Sequence, residues 1–141
     1  MVAAANRLDR PFSLVVTGEA ESWLPALDMI VGPRWLETYR VRGDRELLDV
    51  VESGVADAAV LDEEADWSTD LLRLLRMIRQ LNRLLPVVIV SSRSDRMWLE
   101  DALRLTVFSV VAKPLQLEDL LRQIQRLMLR LDRMLRGEAG E

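Results

Sequence analysis

Short runs of apolar, largely β-branched residues recur along the chain, and each is followed by a stretch in which apolar residues fall three and four positions apart. The runs cover residues 12–17, 57–62, 86–91 and 108–113, the pattern of strands buried on both faces. Residues 35–42 alternate apolar and polar instead, as an edge strand does. Helical spacing covers residues 19–30, 44–53, 67–84, 95–105 and 117–136. Start signals agree: Gly43-Asp44 opens the second helix, Ser68 or Thr69 caps the third with Asp70 in its first turn, and Ser94-Asp95 precedes the fourth. Five strict β-α units predict one doubly wound parallel α/β sheet with right-handed crossovers. The unit spans residues 12–136, between an N-terminal segment, 1–11, and a tail, 137–141, with no linker or repeat dividing it.

Composition narrows the chemistry. The 141 residues are 50% hydrophobic and 30% charged, which excludes a disordered chain and gives one domain able to bury roughly two-thirds of its unfolded surface. The longest apolar run, 84–90, is too short to span a bilayer. Residues 1–7 lack a charged region followed by an apolar core, so no signal peptide is read and the cytoplasm is the expected location. Without cysteine or histidine, thiol nucleophiles, histidine bases and Cys/His metal sites are excluded. Chemistry is left to Asp, Glu, Ser, Thr or Lys. A net charge of -4 and a pI near 5.0 argue against nucleic acid as the default partner. Of 19 cationic side chains only Lys113, directly before Pro114, is a lysine.

In an open parallel sheet the site lies beyond the carboxyl ends of the strands, beside the switch point in strand order. Those ends carry Thr17-Gly18-Glu19, Asp62-Glu63-Glu64, Ser91-Ser92 and Lys113-Pro114. Asp, Ser and Lys therefore stand at three successive strand ends beside an acidic loop.

These residues resemble the receiver domain of bacterial response regulators, from about Phe12 to Leu131. Val41-Arg-Gly-Asp-Arg-Glu-Leu-Leu48 is similar to the start of the second receiver helix, and Ala58-Ala-Val-Leu-Asp62 to the strand that holds the phospho-accepting aspartate. Leu85-Pro-Val-Val-Ile-Val-Ser91 is similar to the switch-hydroxyl strand and Val110-Val-Ala-Lys113-Pro114 to the invariant-lysine strand. The resemblance implies a flavodoxin-like (βα)5 fold, with Asp62 as the carboxylate that accepts a phosphoryl group from a kinase histidine. It further implies Ser91 as the switch hydroxyl and Lys113 as the cation pairing with phosphoryl oxygens. Such transfer is mostly positioning and charge neutralisation.

The chain departs from that pattern at the end of the first strand, where receivers carry two adjacent Mg2+-binding acids and this sequence has Thr17 and Gly18. A hydroxyl and a glycine do not replace two carboxylates. Asp62 and Glu64 are the residues left to hold Mg2+ weakly, with Glu19, Glu63 and Asp66 near enough in sequence to compensate. Val110 stands where many receivers have an aromatic switch residue, and Thr106 where the turn before the fifth strand usually has glycine. The expected function is that of an atypical receiver in two-component signalling, acting by protein contact with a sensor kinase or downstream regulator and with impaired Mg2+-dependent phosphorylation. Two alternatives stay open: a working Asp62 phosphoacceptor in a His–Asp relay, and a small-ligand or nucleotide pocket at Thr17-Gly18.

The last helix carries Leu117, Leu120, Leu121, Ile124, Leu127, Met128, Leu131, Met134 and Leu135 on one face over nearly three heptads. At about 30 Å it is longer than a sheet about 17–20 Å deep. Its end is therefore expected to overhang and to form a homodimer seam through Ile124, Leu127, Leu131, Met134 and Leu135. Arginine stripes on the third and last helices read as solvated faces.

Overall fold

The computed structural model describes residues 10–17, 23–65 and 67–135, the side chains of the last helix as far as Leu131. Ten elements alternate: β1 (Phe12–Thr17), α1 (Leu24–Val31), β2 (Leu36–Val41), α2 (Asp44–Ser53), β3 (Ala58–Asp62), α3 (Leu71–Leu81), β4 (Val87–Ser91), α4 (Arg96–Arg104), β5 (Ser109–Ala112) and α5 (Leu117–Leu135). All strand pairs are parallel, in the order β2-β1-β3-β4-β5. The order reverses between β1 and β3, so the crevice for chemistry lies above their carboxyl ends.

Each strand sends alternate residues to opposite faces. Leu14, Val16, Val60, Val88 and Val90 face α1 and α5, joined there by Leu27, Leu120 and Ile124. Val15, Leu61, Val87 and Ile89 face the other layer, with Leu47 of α2, Leu74 and Ile78 of α3 and Trp98 of α4. Every residue of β1 and β4 is buried, whereas the four middle residues of β2 are exposed or half-exposed, as its edge place requires.

Helix boundaries differ from the sequence expectation at three places. The described part of α1 starts at Leu24, with Pro25 in its first turn, where a missing N–H costs nothing. α3 starts four residues later than expected because residues 67–70 are held by other bonds. The Trp67 indole donates to the carbonyl of Asp62 (2.9 Å) and the Ser68 N–H to the Asp44 carboxylate (2.9 Å). Asp70 is the residue at its N-cap, in place of Ser68 or Thr69. Its other end stops at Asn82, in extended conformation. Around that point the Arg79 guanidinium donates to the carbonyls of Leu85 (2.7 Å), Leu105 (2.8 Å), Thr106 (3.1 Å) and Asn82 (3.3 Å). One arginine thereby ties the ends of α3 and α4 together.

Thr106 has φ 56, the left-handed conformation that costs a β-branched residue free energy a glycine does not spend. Thr106→Gly is expected to raise the unfolding free energy by about 1 kcal/mol in urea titration; a decrease would show that Thr106 is unstrained.

α5 corrects the dimer-seam expectation in part. Leu120, Ile124, Leu127 and Met128 are buried against the sheet, with Leu117, Leu121 and Leu131 packed partly over the same core. Ile124 and Leu127 are core residues, because the face that looked unpartnered in sequence is the one the sheet covers. The side chains of Met134 and Leu135 lie outside the described residues.

Candidate functional site

Parallel pairing brings three strand ends into line: Asp62 is in register with Val90, and Ser91 with Ala112, the residue before Lys113. The Lys113 N–H donates to the carbonyl of Ser91 (3.1 Å), extending the ladder one residue and fixing where the lysine side chain starts. Its ammonium lies 2.8 Å from Asp62 Oδ1 and 2.6 Å from Glu64 Oε1. Burial works against the charge on Lys113, but its bonds to Asp62 and Glu64 outweigh that and raise its pKa. The other bond of the Asp62 carboxylate is local: Oδ1 accepts the N–H of Glu64 (2.9 Å), closing an Asx turn over the strand end.

Ser91 is almost fully buried and its hydroxyl is engaged by Glu63 and Arg93. It donates to Glu63 Oε1 (3.0 Å) and accepts the N–H of Arg93 (2.9 Å). Arg93 then forks onto the Asp95 carboxylate (3.0 and 3.1 Å), and Asp95 caps α4 by accepting the N–H of Trp98 (3.3 Å). The Arg93 guanidinium also lies 5.0 Å from the centre of the Trp98 ring, a cation–π distance. The hydrogen bond to Arg93 holds the Asp95 carboxyl below the usual carboxylate range. The Ser91 hydroxyl is thus connected through Arg93 and Asp95 to the start of α4.

Of the residues expected at the site, Asp62, Glu64 and Lys113 are in direct contact, and Ser91 joins them through the neighbouring Glu63. Thr17 is buried at the end of β1; Gly18, Glu19 and Asp66 lie outside the described residues. A cavity of about 310 Å³ opens over Asp62, Glu64 and Lys113, walled by Trp23, Val90 and Leu115. Sequence reasoning missed the roles of Glu63 and Arg93. The only signal for them was position, one residue beyond Asp62 and two beyond Ser91, where a loop side chain reaches the adjacent strand end.

These donors do not suit Mg2+. The ion asks for near-octahedral oxygen coordination by charged ligands, yet among the described residues no group of three acids is placed to hold a metal. Glu64, expected as a ligand beside Asp62, is bound to Lys113 instead.

No family model matches the sequence, and neither does any curated protein. Solved structures do. A CheY-like response regulator receiver domain protein from Methanospirillum hungatei superposes with TM-score 0.71 at 16% identity, over 84% of this chain and 94% of that one. The signal receiver domain of a putative Luxo repressor protein from Vibrio parahaemolyticus gives 0.72 at 14%, over 93% and 99%. This chain has the receiver fold. A third receiver domain, from a sensor histidine kinase of Pseudomonas aeruginosa, matches at 0.68 and 18% over 84% of this chain and 98% of its own, and has a magnesium ion coordinated in its active-site cleft. In the present chain Thr17 ends β1, and Lys113 is bonded to both Asp62 and Glu64.

Proposed function

We propose that this chain is an atypical receiver of two-component signal transduction, working in the cytoplasm through contact with a sensor kinase or a downstream regulator. Its Asp62 is held by Lys113 and is not loaded by Mg2+-dependent phosphoryl transfer. The observation that supports this reading is the double ion pair of Lys113 with Asp62 and Glu64. The ammonium balances charge at the nucleophile position, and Thr17 supplies no carboxylate for a metal. The role left to the module is that of a signalling surface, with the Ser91–Arg93–Asp95 connection joining the cleft to α4.

A second reading keeps Asp62 as a working phosphoacceptor. It draws on the same 2.8 Å contact, since an ammonium there stands where it can neutralise a phosphoryl oxygen.

Magnesium separates the two. Thermal melts of the parent chain with and without millimolar MgCl2 are expected to coincide, because a ligand that does not bind the native state leaves its stability unchanged. A melting temperature that climbs with Mg2+ in the parent and not in Asp62→Asn would contradict the first reading. The Trp67 indole, bonded to the Asp62 carbonyl, gives a fluorescence check of the same titration.

A further inference from the structure

The opposite end of the sheet carries a cationic, partly apolar surface that the cleft does not explain. Arg126 and Arg130, one turn apart on α5, lie with their guanidinium carbons 5.1 and 5.7 Å from the centre of the Phe108 ring. Arg130 also acts on Arg79, whose pKa is lowered by burial and by that neighbouring charge. Five other arginines meet carboxylates: Arg10 with Asp57, Arg93 with Asp95, Arg96 with Glu100, Arg104 with Asp101 and Arg122 with Asp119. Among the described residues, no ion pair with a carboxylate engages Arg79, Arg126 or Arg130.

Beside Arg130 lies a cavity of about 170 Å³ walled by Leu84, Leu85, Pro86, Leu127 and Leu131. Leu84 is 73% exposed. The acid at its edge, Asp57, is already bound by both terminal nitrogens of Arg10 (2.8 and 2.9 Å) and by the N–H of Ser13 (2.7 Å). Asp57 therefore does not neutralise Arg130.

We propose that this face is a docking site for an acidic peptide segment of a partner protein, with one apolar side chain seated in the cavity and carboxylates on Arg126 and Arg130. Charge complementarity selects the occupant. Two guanidiniums held on one ring present planar forks suited to carboxylates, and Phe108 limits their motion, so less ordering is left to do on binding. In a chain whose net charge is -4, a local cluster of this sign attracts an acidic segment against the overall charge.

The test is fluorescence anisotropy with a labelled peptide of glutamates around a single leucine, titrated with the parent chain and with Arg126→Gln/Arg130→Gln. The expected result is saturable binding, weakened by salt and lowered by about tenfold or more in the double variant. Replacing the leucine by serine is expected to weaken binding severalfold, and Arg122→Gln in the chain to leave it unchanged. Equal affinity for a lysine-for-glutamate peptide, or for the double variant, overturns the proposal. So does light scattering that shows a dimer abolished by the double variant, which assigns the face to a second copy. Preferential co-sedimentation with phosphatidylglycerol vesicles, again lost in the double variant, assigns it to a lipid surface and overturns the proposal equally.

Discussion

Arg79→Met is expected to lower the unfolding free energy by roughly 2–4 kcal/mol, read as the shift in urea midpoint at unchanged slope. The parent guanidinium serves four carbonyls that α3 and the two following turns leave without intrahelical partners, the shortest bonds being 2.7 Å to Leu85 and 2.8 Å to Leu105. Methionine matches the stem but offers no donor. The Leu105 carbonyl keeps the Thr106 hydroxyl (2.7 Å); the other three must then find water or stay unmet, and the latter costs the full desolvation of each group. The melting temperature falls on the order of 10 °C. Arg79→Lys recovers only a minor part, because an ammonium with three donors does not reproduce the planar fork. A loss below about 0.5 kcal/mol for Arg79→Met would show that water serves these carbonyls as well as the guanidinium does.

Lys113→Met gives the second large effect, about 1–2 kcal/mol at neutral pH, discounted for the partial exposure of the pair. It leaves Asp62 and Glu64 close together without their shared cation. The dependence on pH has a definite sign. The folded-state pKa of Lys113 is raised by Asp62 and Glu64 against the opposing effect of burial. Its contribution is therefore complete below the unfolded lysine value of about 10.4 and is lost as pH rises through the higher folded value. The gap in urea midpoint between parent and variant should be constant through the neutral range and close at alkaline pH. A gap that instead widened with alkalinity would mean that the folded loop disfavours the charged ammonium, with the folded pKa of Lys113 below its unfolded value.

Much of the fold was legible because strand burial writes itself into sequence. Val87 to Val90 and Ala58 to Leu61 are apolar on both faces, and this only suits a sheet covered by two helical layers. The site positions were legible through their order at strand ends. The limits of α3 were not, since Trp67 and Ser68 fit a helical pattern and are kept out of the helix by bonds to Asp62 and Asp44, distant or reversed in sequence. The α5 face was misread for a related reason. Periodicity shows that Ile124 and Leu127 need a partner but not whether it is the chain's own sheet or a second copy; length alone suggested the second, and burial shows the first. The double hold of Lys113 was hidden too. Glu64 is a loop residue, and an acid in a loop can face a cation as readily as a metal.

If Lys113 takes the place of a metal in balancing the acids at Asp62, Asp62 is not phosphorylated in the usual metal-dependent way. Intact-mass measurement after incubation with acetyl phosphate and MgCl2 tests it most directly. The expected outcome is that neither the parent nor Asp62→Asn gains a phosphoryl mass under this treatment. An added phosphoryl mass on the parent that is missing from Asp62→Asn would contradict it.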